Sequence, residues 1–251
     1  MSKTVLVTGA SKGIGRAIVE KLLSGDADVK VIGIARSLDE LREMQMEFGP
    51  RFEYLSADVT EEKAVSQFLE SKVPAVDVVI ANAGVLSPVQ SVKEADVAQW
   101  KQLFDVNFFS VVSLVTQLLP RLRSSKHGDV IFVSSGASVK PYYAWGAYGA
   151  SKAALNHFAM SLASEESNVR AVAVAPGVVD TQMQSDIRNT FGPASMTPES
   201  LKRFTDLHEK GELLNVSIPA SVYANLALKG VPEGINGQYL RYNDARLADF
   251  S

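Results

Sequence analysis

The sequence VLVTGASKGIGRAI at residues 5–18 decides the fold of this chain. Its aliphatic, β-branched start predicts a strand, and the apolar spacing after the glycines predicts a helix. Gly9 permits a tight turn, Gly13 lets the backbone approach a ligand, and Gly15 lets the helix pack close to the strand. Because a helix N-terminus offers free N–H groups and a partial positive charge, this loop is typical of a phosphate-binding site.

Strand and helix patterns alternate along the rest of the chain. The predicted strands cover residues 4–8, 29–35, 52–57, 76–81, 129–134, 169–175 and 237–241, and the predicted helices cover residues 13–23, 38–48, 61–70, 95–122 with a break, 145–164 and 219–228. Several strand patterns are almost continuously apolar, as expected for parallel strands covered on both faces. With right-handed crossovers, the sequence predicts an α/β fold: a doubly wound, mostly parallel, seven-stranded sheet (Rossmann fold) with helices on both faces. No linker or repeat divides residues 1–251, so we expect a single domain.

Residues 181–215 interrupt this alternation. Thr197, Pro198 and Glu199 form a helix-start pattern, and Gly211 would end that helix. An insertion after the sixth strand of such a sheet lies above the carboxyl ends of the strands, where ligands bind. We therefore expect residues 181–215, here called the lid segment, to cover the substrate; the alternative is a peripheral helical hairpin without substrate contact.

The composition argues against several classes of protein. The 25 basic and 28 acidic residues leave a net charge of -3, which argues against a nucleic-acid partner. Cysteine is absent and His127, His157 and His208 lie far apart, so we expect no metal site. We see neither a secretory signal nor an apolar run of about 18 residues, so we expect a cytoplasmic protein that does not enter a membrane.

The glycine spacing TGxxxGIG resembles the signature of the short-chain dehydrogenase/reductase family, and the resemblance spans nearly the whole chain. Residues 82–84 read NAG and resemble the family's NNAG element, with Ala81 in place of its first asparagine. Residues 176–181 read PGVVDT and resemble the family's PG element, in which the backbone near Val179 and the hydroxyl of Thr181 would hold the nicotinamide carboxamide. The resemblance implies an oxidoreductase that passes a hydride between a nicotinamide cofactor and a carbonyl group of a small molecule.

The end of the second strand bears on which nicotinamide cofactor is used. An acidic residue there would bind the ribose 2′-hydroxyl of NAD, but residues 35–37 read ARS. Arg36 can pair bidentately with a 2′-phosphate and Lys12 can add a second positive charge, so the sequence favours NADPH/NADP+ over NADH. The predicted cofactor-binding residues, in which Asp58 and Val59 would contact the adenine by resemblance, are Gly9, Ser11, Lys12, Gly13, Ile14, Gly15, Arg36, Ser37, Asp58, Val59, Asn82, Ala83, Gly84, Asn107, Tyr148, Lys152, Pro176, Gly177, Val179 and Thr181.

Four residues form the predicted catalytic group. Tyr148 can donate the proton that reduction of a ketone needs, and Lys152 lies one helical turn later, where its charge would lower the pKa of the phenol. By resemblance, Ser135 has the family's separation from the tyrosine and would hydrogen-bond the substrate oxygen. Asn107 matches the family's helix-breaking asparagine, which holds a water that links the lysine to solvent.

The expected substrate is a small hydrophobic ketone or α-diketone. Within the family the chain most resembles benzil and diketone reductases and sepiapterin-reductase-like carbonyl reductases. The predicted substrate-binding residues would form a largely apolar wall together with Phe191 and Met196 of the lid segment; they are Ser135, Gly136, Ala137, Tyr143, Trp145, Val178 and Met183.

Other functions stay open on the same scaffold. The chain could act as an alcohol dehydrogenase or as a steroid or 3-oxoacyl reductase, or it could sense NADP(H) without catalysis. Sensing proteins of this fold usually lack part of the catalytic group, whereas all four residues are present here. The resemblance also implies a homodimer or homotetramer formed through the helices predicted at 95–122 and 145–164.

Overall fold

The structure, a computed structural model, describes residues 3–25, 28–126 and 128–251; His127, to which the sequence assigns no role, lies outside them. Its strands are β1 (Lys3–Thr8), β2 (Val29–Ala35), β3 (Phe52–Ser56), β4 (Val78–Ala81), β5 (Gly128–Val133), β6 (Val169–Ala175) and β7 (Tyr239–Arg241). They form one sheet in the order β3-β2-β1-β4-β5-β6-β7, and every pairing is parallel. This confirms the predicted doubly wound α/β fold.

Helices cover both faces of the sheet. They are α1 (Gly13–Ser24), α2 (Leu38–Phe48), α3 (Glu62–Lys72), α4 (Val97–Phe104), α5 (Ser110–Ser124), α6 (Gly146–Glu165), α7 (Gln182–Asp186), α8 (Gly192–Ser195), α9 (Pro198–Glu209) and α10 (Ser217–Lys229). The predicted break between residues 95 and 122 is a π-helical turn, Asp105–Phe109, which separates α4 from α5.

The core divides into two layers because side chains alternate across each strand. Val5 and Val7 of β1 pack in one buried cluster with residues of α1 and α10. Leu6, between them, packs in the other cluster with residues of α5 and α6. Apolar positions on both faces of the central strands are therefore explained by helices on both faces.

The topology fixes where a ligand can bind. Chain order reverses between β1 and β4, which lie side by side at the centre of the sheet. At such a switch point the loops after the two strands part in opposite directions and leave a crevice at the carboxyl ends. The glycine turn after β1 and residues 82–84 after β4 both border this crevice.

The lid segment is tied to the end of β6 and is mostly helical. The Asp180 amide donates to the Leu214 carbonyl (2.8 Å), and the Leu214 amide donates to the Val178 carbonyl (2.9 Å). Between these ties lie α7, a π-helical turn, α8 and α9. Thr197 caps α9 through its hydroxyl, which accepts from the Ser200 amide (3.3 Å), as the helix-start pattern predicts.

Among the described residues, one stretch, Val97–Ser124, is long and apolar enough to cross a membrane by length and composition alone. From the sequence alone we expect no such run. Its apolar residues are explained in part by the sheet beneath it, because Val111, Val115 and Leu118 are buried in the core layer that also contains Leu6. About a third of the apolar window is buried (33%), so the core explains only part of its apolar character.

Candidate active site

The glycine turn after β1 can exist only with glycine at two positions. Gly9 has φ +66°, and a Cβ there would lie 2.8 Å from the Asn82 amide nitrogen. A Cβ on Gly15 would lie far inside the contact distance of the Gly9 carbonyl oxygen, so α1 packs directly on the turn. Both observations agree with the roles that the sequence predicts for these glycines.

Thr8 links this turn to the loop after β4, a role that sequence reasoning missed. Its hydroxyl accepts from the Asn82 and Ala83 amides, both at 3.0 Å, and its carbonyl accepts from the Asn82 side-chain amide at 2.9 Å. The two loops that border the crevice are therefore held together by hydrogen bonds. Thr8 had no visible signal, because it reads as the last residue of a strand.

A cleft of about 440 Å³ occupies the crevice and extends under the lid segment. Eighteen of the twenty predicted cofactor-binding residues line it, from Gly9 to Thr181, and the two that do not are Gly15 and Asn107. Gly15 serves helix packing, as described above, and Asn107 is buried behind the cleft wall. The described residues contain no group of three His, Cys, Asp or Glu side chains that could hold a metal ion.

The end of the cleft after β2 carries basic side chains. Arg36 is 73% exposed, and its guanidinium lies 3.7 Å from the Asp58 carboxylate. Lys12 pairs with Glu40 at 2.8 Å, and this hydrogen bond lowers the pKa of the Glu40 carboxyl. The Arg36 guanidinium is thus loosely held and can turn toward an anion at this end of the cleft.

At the other end of the cleft, Tyr148 is buried and lies next to Ser135. Burial raises the pKa of the Tyr148 phenol, and the nearby Ser135 side chain opposes this rise. The Lys152 ammonium lies 5.8 Å from the centroid of the phenol ring and donates to the Val133 carbonyl (2.8 Å). Burial also lowers the pKa of Lys152 to about 8. Burial has the largest effect on the pKa of Tyr148, so the lowering that the sequence predicts from Lys152 does not set the direction of the shift.

Asn107 lies in the π-helical turn and is fully buried. Its side-chain oxygen accepts from the Val85 amide (2.8 Å), and its nitrogen donates to the Val85 carbonyl (2.9 Å) and to the Ser151 hydroxyl (3.1 Å). A Cβ on Gly84 would lie 3.3 Å from both the Asn107 oxygen and the Lys152 nitrogen. The absent side chain at Gly84 leaves these two polar atoms facing one small space, which suits the predicted water.

A second set of polar residues supports the backbone of Ser135, and no sequence pattern predicts it. The Ser134 hydroxyl donates to the Asn156 side-chain oxygen (2.6 Å), and the Asn156 nitrogen donates to the Ser138 hydroxyl (2.9 Å). The Ser138 hydroxyl in turn donates to the Ser135 carbonyl (2.5 Å). Because Asn156 lies on α6, this network fixes the end of β5 against the helix that carries Tyr148.

Five predicted substrate-binding residues line the cleft, namely Ser135, Gly136, Trp145, Val178 and Met183. Tyr143 and Ala137 do not. Tyr143 is 45% exposed on the surface, and its neighbour Tyr142 lines the cleft in its place. Tyr142 lies in the cleft in place of Tyr143 because the backbone before α6 is irregular, with φ +65° at Ala144. The amide of Ala137 instead donates to the Ser135 hydroxyl (3.1 Å).

An aromatic stack connects the lid segment to Tyr148. The Trp145 ring stacks with Tyr142 (centroids 5.0 Å apart) and with Phe204 of α9 (5.2 Å), these two rings lie 6.0 Å apart, and Trp145 meets Tyr148 edge-on at 5.7 Å. Phe191 and Met196, expected at the substrate, pack in the apolar cluster behind this stack without lining the cleft. The lid residues that line it are Thr181, Gln182, Met183, Gln184, Ile187, Arg203 and Phe204.

Comparison with protein families finds one matching model over residues 3–192, described as short chain dehydrogenase. Among curated proteins, the chain is 52% identical over 258 residues to a benzil reductase of the (S)-benzoin-forming type, IRC24 of Saccharomyces cerevisiae. The match covers 98% of each chain.

Two solved structures illustrate the structural likeness. The crystal structure of YIR035C, a short-chain dehydrogenase/reductase from Saccharomyces cerevisiae, matches with a TM-score of 0.96 and 53% identity over 99% of each chain. A short-chain dehydrogenase from Shigella flexneri 2a, complexed with NADP, matches with a TM-score of 0.76 and 25% identity, over 96% of this chain and 97% of that one.

Proposed function

Because this chain belongs to the short-chain dehydrogenase/reductase family, we propose that it is an NADPH-dependent reductase of small hydrophobic ketones and α-diketones. One observation carries the proposal. A buried tyrosine, next to a serine and a buried lysine, lies at one end of a cleft whose other end is a glycine turn with exposed basic residues. The first group can protonate an oxygen, and the second can bind phosphates.

The cleft fits a dinucleotide along its length. The glycine turn and the N-terminus of α1 would hold the pyrophosphate, and residues 176–181 would hold the nicotinamide end. A Cβ on Gly13 would lie 3.5 Å from the Thr181 methyl group, so the glycine turn is a direct neighbour of the segment that would hold the nicotinamide end. When bound, the cofactor supplies the hydride.

The choice of NADPH over NADH rests on Arg36. No carboxylate lies at the end of β2, where it would repel a 2′-phosphate, and Arg36 with Ser37 stands there instead. The only carboxylate beside Arg36 within the described part of the chain is Asp58, at 3.7 Å. The NADP found in the Shigella structure is in keeping with this choice.

The protonation state of the Tyr148 phenol suits a proton donor. An ordinary phenol keeps its proton at neutral pH, and burial, which raises the pKa of Tyr148, maintains that state. Tyr148 would give that proton to the oxygen of the reduced carbonyl, so that one hydride on carbon and one proton on oxygen yield the alcohol. Ser135, next to Tyr148, would hydrogen-bond the same oxygen, and Lys152 would supply positive charge nearby.

The substrate class rests on the aromatic stack and on the likeness to the yeast benzil reductase. Trp145, Tyr142 and Phe204 offer flat apolar surfaces beside Tyr148, which suit an aryl ketone. The homodimer or homotetramer and the cytoplasmic location stay predictions.

A carbonyl panel tests the proposal directly. Purified protein is given benzil, 1-phenyl-1,2-propanedione and acetophenone, and loss of NADPH absorbance is followed; the series is repeated with NADH. We expect reduction of the two diketones, with kcat/KM at least about tenfold higher with NADPH, as one charged hydrogen-bonded pair contributes. If NADPH binds but no carbonyl compound is reduced, the protein senses the cofactor without catalysis.

A further inference from the structure

The mouth of the cleft beside the aromatic stack is positively charged. The Arg203 guanidinium lies 5.6 Å from the centroid of the Tyr142 ring, and the Lys140 ammonium lies 5.3 Å from the same centroid. Arg241, at the end of β7, also lines the cleft. None of these three side chains has an ion-pair partner among the residues that the structure describes.

This charge is not balanced within the cleft. Lys12 is paired with Glu40, and Arg36 stands beside Asp58, which is the only carboxylate among the described residues that line the cleft. The chain as a whole carries a net charge of -3, so a basic mouth is a local feature and not a result of composition. Clefts lined by charge of one sign concentrate ligands of the opposite sign.

Arg203 is connected to the reacting group through ring contacts. Its guanidinium contacts Tyr142, Tyr142 stacks on Trp145 at 5.0 Å, and Trp145 meets Tyr148 edge-on at 5.7 Å. A substrate lying along this wall would have its carbonyl at Tyr148 and its far end near Arg203. Contact with the Tyr142 ring also restricts the long arginine side chain, which reduces the entropy lost when it binds a ligand.

We propose that Arg203 is a specificity residue that binds the carboxylate of an anionic ketone substrate. The ketone would carry its carboxylate several bonds from the carbonyl, and the guanidinium would pair with it bidentately. Lys140 and Arg241 would add to the attractive field at the mouth. This inference rests on the proposed reductase function and narrows its substrate class from hydrophobic ketones to aryl ketones with a remote negative charge.

The test compares acids with their methyl esters. Benzoylformate, 3-benzoylpropionate and 4-benzoylbutyrate, each with its ester, are reduced by the wild-type protein and by the variants Arg203→Gln, Arg241→Gln and Lys210→Gln. Lys210 is the matched control, because it is an exposed cation just after α9 that does not line the cleft. Benzil, which has no charge, measures the reductase activity itself.

We expect the wild-type protein to prefer at least one acid over its ester by about tenfold or more in kcat/KM, the effect of one charge-assisted hydrogen-bonded pair. Arg203→Gln should lower kcat/KM for the acid, through KM, by about tenfold more than kcat/KM for its ester or for benzil, whereas Lys210→Gln should retain the preference. Equal rates for acid and ester at every chain length, or loss of the preference in Arg241→Gln but not in Arg203→Gln, would overturn the assignment. If no ketone is reduced, benzil included, the proposed function fails and this inference fails with it.

Discussion

At the scale of single residues, Arg36 decides the predicted cofactor preference. Replacing it by Asp puts a negative charge where a 2′-phosphate would bind, and Asp58 already stands beside that position. We expect the KM for NADPH to rise by about a hundredfold, because a charge-assisted pair is lost and a repulsive one is gained, while the KM for NADH changes little. Steady-state kinetics with both cofactors measure this difference.

Arg42→Asp is the matched control for Arg36. It makes the same change of charge on α2, and its guanidinium does not line the cleft. We expect it to leave both KM values near those of the wild-type protein. An equal rise for NADPH and NADH in Arg36→Asp would mean that Arg36 does not contact the 2′-phosphate.

Residues set by local spacing were predictable, and residues set by irregular backbone were not. Tyr148 and Lys152 lie one turn apart on α6, and the glycine turn follows directly from its own sequence. The sequence predicts Tyr143 at the substrate, but its neighbour Tyr142 lines the cleft, because a positive φ at Ala144 redirects the chain just before α6. No periodicity in a sequence reports such a turn.

The direction in which the pKa of Tyr148 shifts could not be predicted from the sequence either. Helical spacing brings Lys152 near the phenol, which predicts a lowered pKa. The structure buries both groups, and burial raises the pKa of one while it lowers that of the other. The balance depends on the depth of the cleft, which is a property of the packed fold.

At the scale of elements, α1 packs so closely on the turn after β1 that Gly15 leaves no room for a Cβ. We predict that Gly15→Ala abolishes measurable NADPH binding, because its methyl group would overlap the Gly9 carbonyl oxygen and push the helix off the turn. Fluorescence titration with NADPH checks binding, and denaturation by urea checks the fold.

Gly234→Ala is the control for that variant. The added methyl group meets no atom within 4 Å there, and the position lies in a short 3₁₀ turn after α10. Its affinity for NADPH and its free energy of unfolding should match those of the wild-type protein. Normal NADPH binding by Gly15→Ala would show that the turn tolerates displacement of α1.

Sequence patterns predict where a helix of the lid segment begins but not which of its residues face the cleft. Thr197 and Pro198 marked the start of α9 correctly. However, the sequence placed Phe191 and Met196 at the substrate, whereas Phe204 and Arg203 line the cleft. Which face of a short amphipathic helix meets the substrate depends on how α9 docks on Trp145, a contact between residues far apart in the chain.

At the scale of the whole molecule, a buried carboxyl in the sheet makes stability depend on pH. Asp129 of β5 is fully buried, its carboxylate lies 3.5 Å from the Arg170 guanidinium, and Lys3 adds a weaker positive charge. Burial raises the pKa of this carboxyl from 3.8 to about 6, and the two cations only partly oppose the rise. The folded protein therefore binds this proton more tightly than the unfolded chain does.

Stability from that proton is complete below about pH 4 and is lost as pH rises through about 6, which at pH 7.5 costs about 3 kcal/mol. We predict that Asp129→Asn unfolds with a free energy about 1–3 kcal/mol higher than the wild-type protein at pH 7.5, and that the two agree near pH 3.5, below the pKa of the unfolded carboxyl. Urea denaturation across this range measures the difference. A variant less stable at pH 7.5 than the wild-type protein would show that the pair with Arg170 outweighs burial.

The overall architecture was the most predictable level. Alternation of strands with helices and the handedness of crossovers leave few topologies, and the observed strand order is the one they favour. The polar network from Asn156 to Ser135 was not predictable, because it joins α6 to the end of β5 across 21 residues of sequence. Such pairs become visible only when the elements are packed.

The most direct test of the account is the reduction of benzil by Tyr148→Phe, with Tyr143→Phe as its control. Both variants lose one phenol hydroxyl, but only Tyr148 lies in the cleft. Single-turnover oxidation of bound NADPH should slow by about 10²–10⁴-fold in Tyr148→Phe, the usual contribution of a positioned proton donor, with NADPH affinity unchanged, and it should keep its wild-type rate in Tyr143→Phe. A near-normal rate in Tyr148→Phe would show that this buried phenol does not protonate the substrate.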